Sequence, residues 1–468
     1  MNKKTLVWFR QDLRLYDNPA LFHAAISGDI IPFYHYDKDI NPKEQIGSAG
    51  KLWLYHSLCD LDNSLNGNLF ISSGNLYESI INICKKYNIS DVNFNKCYEP
   101  WRIRQDNKLV RFLDNIDVKI NIYNGSLLWN PLNILKDDKT PYKVFTPFYK
   151  KGCLNQPEPS KPLEIPKLTY YKIDESLSID ELNLIPKNNW YKKIEKYWDI
   201  NEGAGLRKLD EFINNGLNNY KNGRNYPSKK NVSQLSPYLH WGQVSPNTIW
   251  NKVNNNNECE NISHFKSELG WREFSYYLLN NNPDIQTKNI QSKFDNFPWD
   301  NNLKNFEAWK KGNTGIPIVD AGMRELWETG YMHNRVRMIV GSFLVKNLLI
   351  DWKYGEEWFR DCLVDADLAS NSASWQWIAG CGADAAPYFR IFNPVTQGEK
   401  FDSEGVYTKR FIPELKDIPS KYLFCPWECP QEILSQHNFN LGIDYPYPIV
   451  DLKESRNRAL DAFSVLKK

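Results

Sequence analysis

The sequence predicts an α/β N-terminal domain built on a doubly wound parallel sheet and an all-α C-terminal domain, joined by a long linker. Two observations support this fold class. Up to about residue 130, short apolar runs alternate with amphipathic stretches, whereas from about residue 199 apolar residues recur almost only at helical spacing. The predicted domains are therefore residues 1–130 and 199–468, with the linker at 131–198.

The N-terminal domain contains five apolar runs that are typical of buried strands. They lie at 5–9, 30–36, 69–72, 91–94 and 118–123, with helical patterns between them at 51–65, 76–87 and 104–113. Strands that are apolar on both faces and alternate with helices predict a parallel sheet that is covered on both sides. Because such a sheet binds ligands beyond the carboxyl ends of its strands, we expect this domain to bind a small molecule.

The linker and the C-terminal domain are indicated by a change in composition. Eight prolines between Pro131 and Pro186 stand among Lys, Tyr and Asn without a sustained period, which indicates a long surface connection. Beyond it, the spacing of apolar residues predicts helices at 205–213, 265–279, 318–329, 335–350 and 356–363.

Composition excludes several classes of protein. The 468 residues are 41% hydrophobic and 24% charged, which excludes a disordered or fibrous chain. A net charge of +2 gives the whole molecule no field that would attract nucleic acid, so DNA binding must depend on local placement. Nine cysteines without a C-x-x-C pair argue against a disulfide framework and a zinc ribbon. The sequence has no signal-peptide pattern and no membrane-spanning run, so we expect a cytoplasmic protein.

The motifs of several enzyme classes are missing. The sequence contains no G-x-S-x-G elbow, Walker loop or H-E-x-x-H helix, and its histidines show no metal-ligand spacing. The G-A-G at 203–205 has neither a preceding strand nor a third glycine, so we do not expect it to bind a dinucleotide. His333 is expected to be a hydrogen-bonded residue at a helix start. If the chain is an enzyme, a bound cofactor must supply the difficult chemistry.

Tryptophan is the unusual residue of this composition. Ten of the 17 tryptophans lie between residues 241 and 377. Three of them stand at helical apolar spacing and are predicted to pack in the core: Trp309, Trp327 and Trp358. The W-Q-W segment at 375–377 follows a run of small and acidic residues, which indicates backbone held close to a polar ligand.

Six segments of the sequence resemble the photolyase/cryptochrome family. They are RQDLRLYDNPAL at 10–21, LSPYLHWGQVSP at 235–246, ELGWREF at 268–274, TGIPIVDAGMREL at 314–326, GYMHNRVRM at 330–338 and the long block at 367–402 that begins DLASNSASWQW. The resemblance covers essentially the whole chain and is strongest to the class I cyclobutane pyrimidine dimer photolyases. It implies an α/β antenna domain, a linker and a helical FAD domain. The implied function is light-dependent DNA repair, in which photoexcited reduced FAD donates one electron to a flipped-out dimer.

Individual residues distinguish the branches of this family. Resemblance to the dimer photolyases implies Asn and Met four residues apart on one helix face, and this chain has Asn334 and Met338. Enzymes that repair (6-4) photoproducts would carry His at both places. Asn371 matches the Asn that faces flavin N5 in photolyases, and no long tail follows Ala459. A cryptochrome-type blue-light photoreceptor and a (6-4) photolyase are the alternatives.

By the same resemblance, the chain binds FAD, with reduced FADH− as the active form, and an antenna chromophore. The implied FAD-binding positions are Tyr220, Arg224, Ser233, Gln234, Leu235, Ser236, Arg272, Arg337, Asp365, Asp367 and Asn371. Val232 stands where the family usually has Thr, which removes one hydroxyl from the phosphate-binding loop. Glu99 matches a pterin-contacting carboxylate, and methenyltetrahydrofolate, deazaflavin and a second flavin all stay open as the antenna.

The implied partner is UV-damaged DNA that contains pyrimidine dimers, bound by a monomeric protein that does not associate with membranes. The residues implied to contact DNA are Trp271 and Trp377 as cavity walls, Glu268, Asn334 and Met338 at the edges of the dimer, and Arg335 near a phosphate. Trp375, Trp352 and Trp299 match the series of tryptophans that photoreduces oxidised flavin.

Overall fold

A computed structural model of the chain describes residues 3–38, 40–41, 44–185, 189–385 and 389–466. They form two compact units, and the chain passes between the units several times. The first, which we call the sheet unit, comprises Met1–Asn214, Ser233–Pro283 and Val364–Asp367. The second, the helical unit, comprises Asn215–Val232, Asp284–Leu363 and Leu368–Lys468. The contiguous boundaries near residues 130 and 198 remain a prediction.

The sheet unit contains a five-stranded parallel sheet. Its strands are β1 (Lys4–Phe9), β2 (Asp29–Tyr36), β3 (Phe70–Ser73), β4 (Asp91–Asn95) and β5 (Lys119–Tyr123). Their order is β3-β2-β1-β4-β5, so the strand order reverses between β1 and β4. Thr5 of β1 pairs with Ile30 of β2 and with Asp91 of β4. The five predicted strands are confirmed, and so is the predicted fold class.

Helices cover this sheet. Those of the sheet unit are α1 (Pro19–Ser27), α2 (Ser48–Ser64), α3 (Leu76–Tyr87), α4 (Pro100–Asp114), α5 (Phe145–Pro147), α6 (Lys192–Tyr197), α7 (Glu202–Glu211), α9 (Ser236–His240), α10 (Pro246–Asn254) and α11 (Glu260–Asn281). Ile80 of α3 and Leu109 of α4 pack in one buried cluster with Leu6, Val92 and Phe94 of the sheet. The central strands β1 and β2 are largely apolar and buried because helices cover both faces, whereas the edge strand β5 is partly exposed.

The G-A-G segment has a packing role. It lies at the start of α7, as predicted. A Cβ atom on Gly205 would lie 2.6 Å from Val244 and 2.8 Å from Tyr238, closer than ordinary van der Waals contact. Gly205 therefore allows close packing within the sheet unit, which accounts for the glycine without any bound dinucleotide.

The helical unit contains the remaining helices. They are α8 (Tyr220–Gly223), α12 (Leu303–Lys310), α13 (Pro317–Thr329), α14 (Asn334–Ser342), α15 (Trp352–Cys362), α16 (Leu368–Ala379), α17 (Pro394–Phe401), α18 (Val406–Phe411), α19 (Gln431–Gln436) and α20 (Leu452–Val465). The single helix predicted at 335–350 is wrong in its second half, because α14 ends at Ser342 and a π-helical turn follows at Phe343–Asn347. All five residues of that turn are buried, and the wider turn lets consecutive apolar residues face the interior.

The prediction of three core tryptophans is correct only in part. Trp309 is fully buried, whereas the side chain of Trp327 on α13 is 42% exposed and Trp358 is half-buried. Trp327 stacks on Trp358, with ring centroids 6.0 Å apart and planes 5° from parallel. Trp327 therefore covers another indole from the solvent side, which helical spacing alone cannot distinguish from a core position.

Within the described residues, no helix combines the length and the apolar character that crossing a bilayer requires.

Candidate active site

The loop at 233–236 in the sheet unit holds four of the predicted FAD-binding residues. Gln234 has a positive φ of 52°, so the backbone turns sharply there. Ser236 Oγ donates a hydrogen bond to Asp365 Oδ2 at 2.5 Å, which brings two predicted residues from distant parts of the sequence together. The Gln234 side chain bonds instead to Lys208 Nζ at 3.1 Å and to the Tyr197 hydroxyl at 3.3 Å.

Arg272 lies on α11 and is held from two sides. Its Nη1 donates to the carbonyl oxygen of Ser126 at 2.8 Å, and its guanidinium carbon lies 4.8 Å from the ring centre of Tyr276. The neighbouring Glu273 is buried and accepts the backbone N–H of Leu128 at 3.0 Å. Burial raises the pKa of Glu273 to about 7, opposed by the charge of Arg272. The fixed guanidinium can therefore present its remaining donors to an anion or a carbonyl.

Glu99 and His240 are two further polar groups in the interior of the sheet unit. Glu99 precedes α4 and is 4% exposed, and its Oε2 has no hydrogen-bond partner among the described residues. The same holds for His240 Nδ1. Burial lowers the pKa of His240 to about 4, opposed by the nearby carboxylates of Glu99 and Asp365. Sequence reasoning missed His240, although it stands inside the LSPYLHW segment that carries the resemblance.

Glu268 and Trp271 lie one turn apart on α11, so they share a helix face. The Trp271 ring stacks on Phe145, with centroids 3.8 Å apart and planes 12° from parallel. Glu268 Oε1 lies 3.9 Å from His264 Nε2. Both predicted residues are half-buried, so each keeps part of its side chain available to a ligand.

The first turn of α14 in the helical unit is capped by His333. Its Nδ1 accepts the backbone N–H of Arg335 at 3.1 Å, which confirms the predicted helix-start role. Burial and the charges of Arg224, Arg335 and Arg337 lower the pKa of His333 to about 3. A neutral ring that accepts at Nδ1 carries its hydrogen on Nε2, and three predicted arginines surround it.

Asn334 and Met338 follow on the same face of α14. Asn334 is exposed and Met338 is half-buried. Between them, Arg335 Nη2 donates to Asn225 Oδ1 at 2.5 Å, and its guanidinium carbon lies 4.4 Å from the ring centre of Phe401. Arg335 is thus fixed beside the face that carries Asn334 and Met338.

The predicted flavin-facing residue Asn371 is fixed by a residue of α15 that the sequence did not reveal. Asn371 Nδ2 donates to the carbonyl oxygen of Glu356 at 3.0 Å and to its Oε1 at 3.1 Å. Burial raises the pKa of Glu356 to about 7, opposed by Arg360 and by the hydrogen bonds from Ser372 and Asn371. A single Glu in an amphipathic helix gives no signal by which this role could have been found.

The predicted relay tryptophans differ in exposure. Trp375 on α16 and Trp352 on α15 are 3% and 1% exposed, whereas Trp299 is half-buried. The Trp375 ring centre lies 4.9 Å from that of Phe359 and 6.2 Å from that of Trp309. All are in the helical unit, so this unit supplies an interior pair of indoles and one closer to the surface.

Trp377, two residues after Trp375 on α16, is half-buried. Its Nε1 donates to the carbonyl oxygen of Asp384 at 3.2 Å. The indole lines a small, open pocket together with Lys346 and Arg390. Burial lowers the pKa of Lys346 well below its usual value, so this pocket does not offer two fixed cations to an anionic ligand.

Comparison with known proteins accounts for these residues together. Residues 5–167 match the family described as DNA photolyase, and residues 265–465 match the FAD binding domain of DNA photolyase. A deoxyribodipyrimidine photo-lyase of Agrobacterium fabrum is 44% identical over 99% of this chain and 98% of its own length. Cryptochrome-2 of Arabidopsis thaliana is 34% identical over 99% of this chain and 79% of its own length.

A solved structure of a related photolyase is similar to this chain over its whole length. The crystal structure of a bacterial class III photolyase from Agrobacterium tumefaciens superposes with a TM-score of 0.96 at 42% identity, covering 100% of this chain and 98% of the other. This neighbour is described as a class III enzyme, whereas the sequence resemblance is to class I, so the class I assignment stays a prediction. The chain belongs to the DNA photolyase family and carries the FAD binding domain of that family.

Proposed function

We propose that the chain is a light-dependent deoxyribodipyrimidine photo-lyase that splits cyclobutane pyrimidine dimers in UV-damaged DNA and acts as a monomer. The observation that carries this proposal is the face of α14, where exposed Asn334 and half-buried Met338 stand side by side. An amide can bond the polar edge of a pyrimidine, and a thioether packs against its apolar part. Neither side chain transfers a proton as the paired histidines of a (6-4) photolyase would.

Recognition of the dimer rests on aromatic and polar side chains. Trp271 and Trp377 provide half-buried indole faces on which extruded bases can stack, each such contact contributing about 1–3 kcal/mol. Glu268 accepts hydrogen bonds from the dimer. Extrusion costs a few kcal/mol, and less for a lesion whose base pairing is already weakened, which favours damaged sites over intact ones.

Arg335 binds a phosphate of the damaged strand. Its guanidinium is half-buried and contacts Asn225 Oδ1 and the Phe401 ring, which fixes the charge beside the face that carries Asn334 and Met338. With a net charge of only +2, binding depends on a few placed cations, and we expect a moderate dependence of affinity on salt.

The described residues have the chemistry that FAD requires. Ser233, Ser236 and the backbone of their loop suit the phosphates, and Arg224 and Arg337 add positive charge. Asn371, held by Glu356, offers its side-chain oxygen to the flavin ring. When bound, FAD in its reduced form supplies the photoexcited electron that opens the dimer, and in its oxidised form it accepts the electron that the tryptophans deliver.

The tryptophans carry that electron inward from solvent. Trp375 and Trp352 are buried and Trp299 is half-buried, so the indole assigned to the outer end of the path is the one with the most contact with solvent. Glu99, with an unpartnered buried oxygen, is the residue that we assign to an antenna chromophore, methenyltetrahydrofolate or deazaflavin.

The test is repair under blue light. The reduced FAD-loaded protein is illuminated with an oligonucleotide that contains one thymine dimer, and the absorbance of restored thymines is followed, with a dark sample as control. We expect repair in the light only. A parallel oligonucleotide with a (6-4) photoproduct should stay unrepaired. If the dimer persists in the light, the proposal is wrong and a photoreceptor role is favoured.

A further inference from the structure

The middle tryptophan of the proposed relay has a feature that its neighbours lack. Trp352 Nε1 donates a hydrogen bond to Asn289 Oδ1 at 2.9 Å. In the part of the chain that the structure describes, the indole nitrogens of Trp375 and Trp299 make no hydrogen bond. Trp352 and Trp375 are both buried, so this hydrogen bond is the main polar difference between their surroundings.

The position of Asn289 is set by α16 itself. Gln376, the fully buried residue next to Trp375, donates to the carbonyl oxygens of Ile285 at 2.6 Å and Lys288 at 2.8 Å. Its Oε1 accepts the backbone N–H of Ile290 at 2.9 Å. The backbone groups in these three hydrogen bonds lie on both sides of Asn289 in the sequence. The bonds therefore fix the loop that carries Asn289.

We propose that Asn289 is a positioning residue that makes Trp352 easier to oxidise than Trp375 and so gives the relay its outward direction. An oxidised indole carries a positive charge, which makes its N–H a stronger donor, and hydrogen bonds to charged groups are about twice as strong as neutral ones. The acceptor therefore stabilises the oxidised form of Trp352 more than the reduced form. Lys353 Nζ lies 5.8 Å from the centre of the Trp352 ring. Asp351 Oδ2 lies 3.7 Å from that Nζ, and its negative charge offsets the charge of the lysine.

Each transfer moves one electron, and no covalent bond is formed or broken. With oxidised flavin bound and excited by light, Trp375 would give up one electron, and an electron would then pass from Trp352 to the oxidised Trp375. The proton stays on Trp352 Nε1, because an amide oxygen is too weak a base to remove it. Trp299 afterwards reduces Trp352, and an external thiol or other reductant at the surface restores Trp299.

This inference rests on the proposed relay, and the variants separate the two. Asn289→Leu keeps the approximate size of the side chain but removes the acceptor. Asn289 Nδ2 also donates to Asp295 Oδ1 at 2.7 Å, so Asp295→Ala is the matched control that removes this second bond and leaves the acceptor for Trp352 in place. Trp352→Phe identifies the indole signal of Trp352 and tests the relay itself.

Two measurements are made on each variant. The indole N–H resonance of Trp352 in the cofactor-free protein reports the hydrogen bond, and the rate of flavin photoreduction reports electron transfer. We expect Asn289→Leu to shift the resonance upfield and to slow photoreduction about fivefold, which corresponds to about 1 kcal/mol. Asn289→Asp should restore the rate, since it keeps an acceptor oxygen, and Asp295→Ala should change neither measurement.

Three results would overturn the inference. The first is a lost hydrogen bond with unchanged photoreduction in Asn289→Leu, and the second is an equal slowing in Asp295→Ala. The third is slow photoreduction in Asn289→Asp although its indole resonance remains downfield. If Trp352→Phe photoreduces at the normal rate, the proposed relay fails instead, independently of Asn289.

Discussion

The tryptophans assigned to electron transfer and those assigned to the dimer differ in their surroundings. Trp375 and Trp352 are 3% and 1% exposed and are enclosed by other side chains of the helical unit. Trp271 and Trp377 are half-buried, each with part of the indole uncovered. An indole that conducts an electron needs a fixed, dry setting, whereas one that receives a base needs a free face. Burial therefore separates the two inner tryptophans of the proposed relay from the two assigned to the dimer, whereas Trp299, at the outer end of the relay, is half-buried as well.

The largest effect that would test this division is expected from Trp299→Phe. Removing the half-buried end of the path should abolish most photoreduction of oxidised flavin, because phenylalanine is much harder to oxidise than tryptophan. Repair by enzyme that is already reduced measures the other function. Trp327→Phe is the control, since Trp327 is 42% exposed and lies outside the path. An equal loss of photoreduction and repair in Trp299→Phe would contradict the division.

Gly355→Ala should disturb the packing around the buried side chain of Trp375. A Cβ there would lie 2.2 Å from Cη2 of Trp375, so the ring or the helix must move, at a cost of about 3 kcal/mol in the free energy of unfolding. Gly341→Ala is the control, because its Cβ would lie 3.6 Å from the same ring, an ordinary contact. Urea unfolding measures both. Similar stability of the two variants would mean that Trp375 is loosely packed.

Glu356 should make stability depend on pH. Its pKa rises from the usual 4.5 to about 7 in the folded state, so the folded protein binds more protons than the unfolded chain between these values. The free energy of unfolding should therefore fall by about 2 kcal/mol from pH 5 to pH 8 through this group. Glu356→Gln should remove that slope, and Glu357→Gln, at a side chain 71% exposed, should keep it. An unchanged slope in Glu356→Gln would place its pKa near the usual value.

Met338→Ala tests the partly exposed side chains that are assigned to the dimer, and it should give the smallest effect. The loss of a half-buried thioether should weaken binding of dimer-containing DNA by about 1 kcal/mol and lower repair without releasing FAD. Binding is measured by fluorescence anisotropy and FAD content by absorbance. A protein purified without FAD would mean that Met338 supports the cofactor rather than the dimer.

The fold could be predicted from sequence because its signals are local. The central strands β1 and β2 are largely apolar, and α3 was predicted with its observed bounds at 76–87. The π-helical turn after Ser342 could not be predicted, since it depends on how five consecutive buried side chains pack. The exposure of Trp327 could not be predicted either, because helical spacing does not show which neighbouring residues cover a side chain.

The site was predicted through resemblance, which names side chains that touch ligands but not those that hold them. Glu356 and Gln376 act through hydrogen bonds on other residues, and a lone Glu or Gln carries no motif. The Ser236–Asp365 hydrogen bond joins residues 129 positions apart, a separation that no local pattern encodes.

Trp375 and Trp377 lie on one short helix, α16, so any change in the register of that helix moves both indoles. Residues two positions apart on an α-helix project about 200° from each other, so Trp375 is buried whereas Trp377 is half-buried. A single inserted or deleted residue upstream in α16 would rotate both indoles out of place at once. One shift of register would therefore displace together the indole assigned to electron transfer and the indole assigned to the dimer.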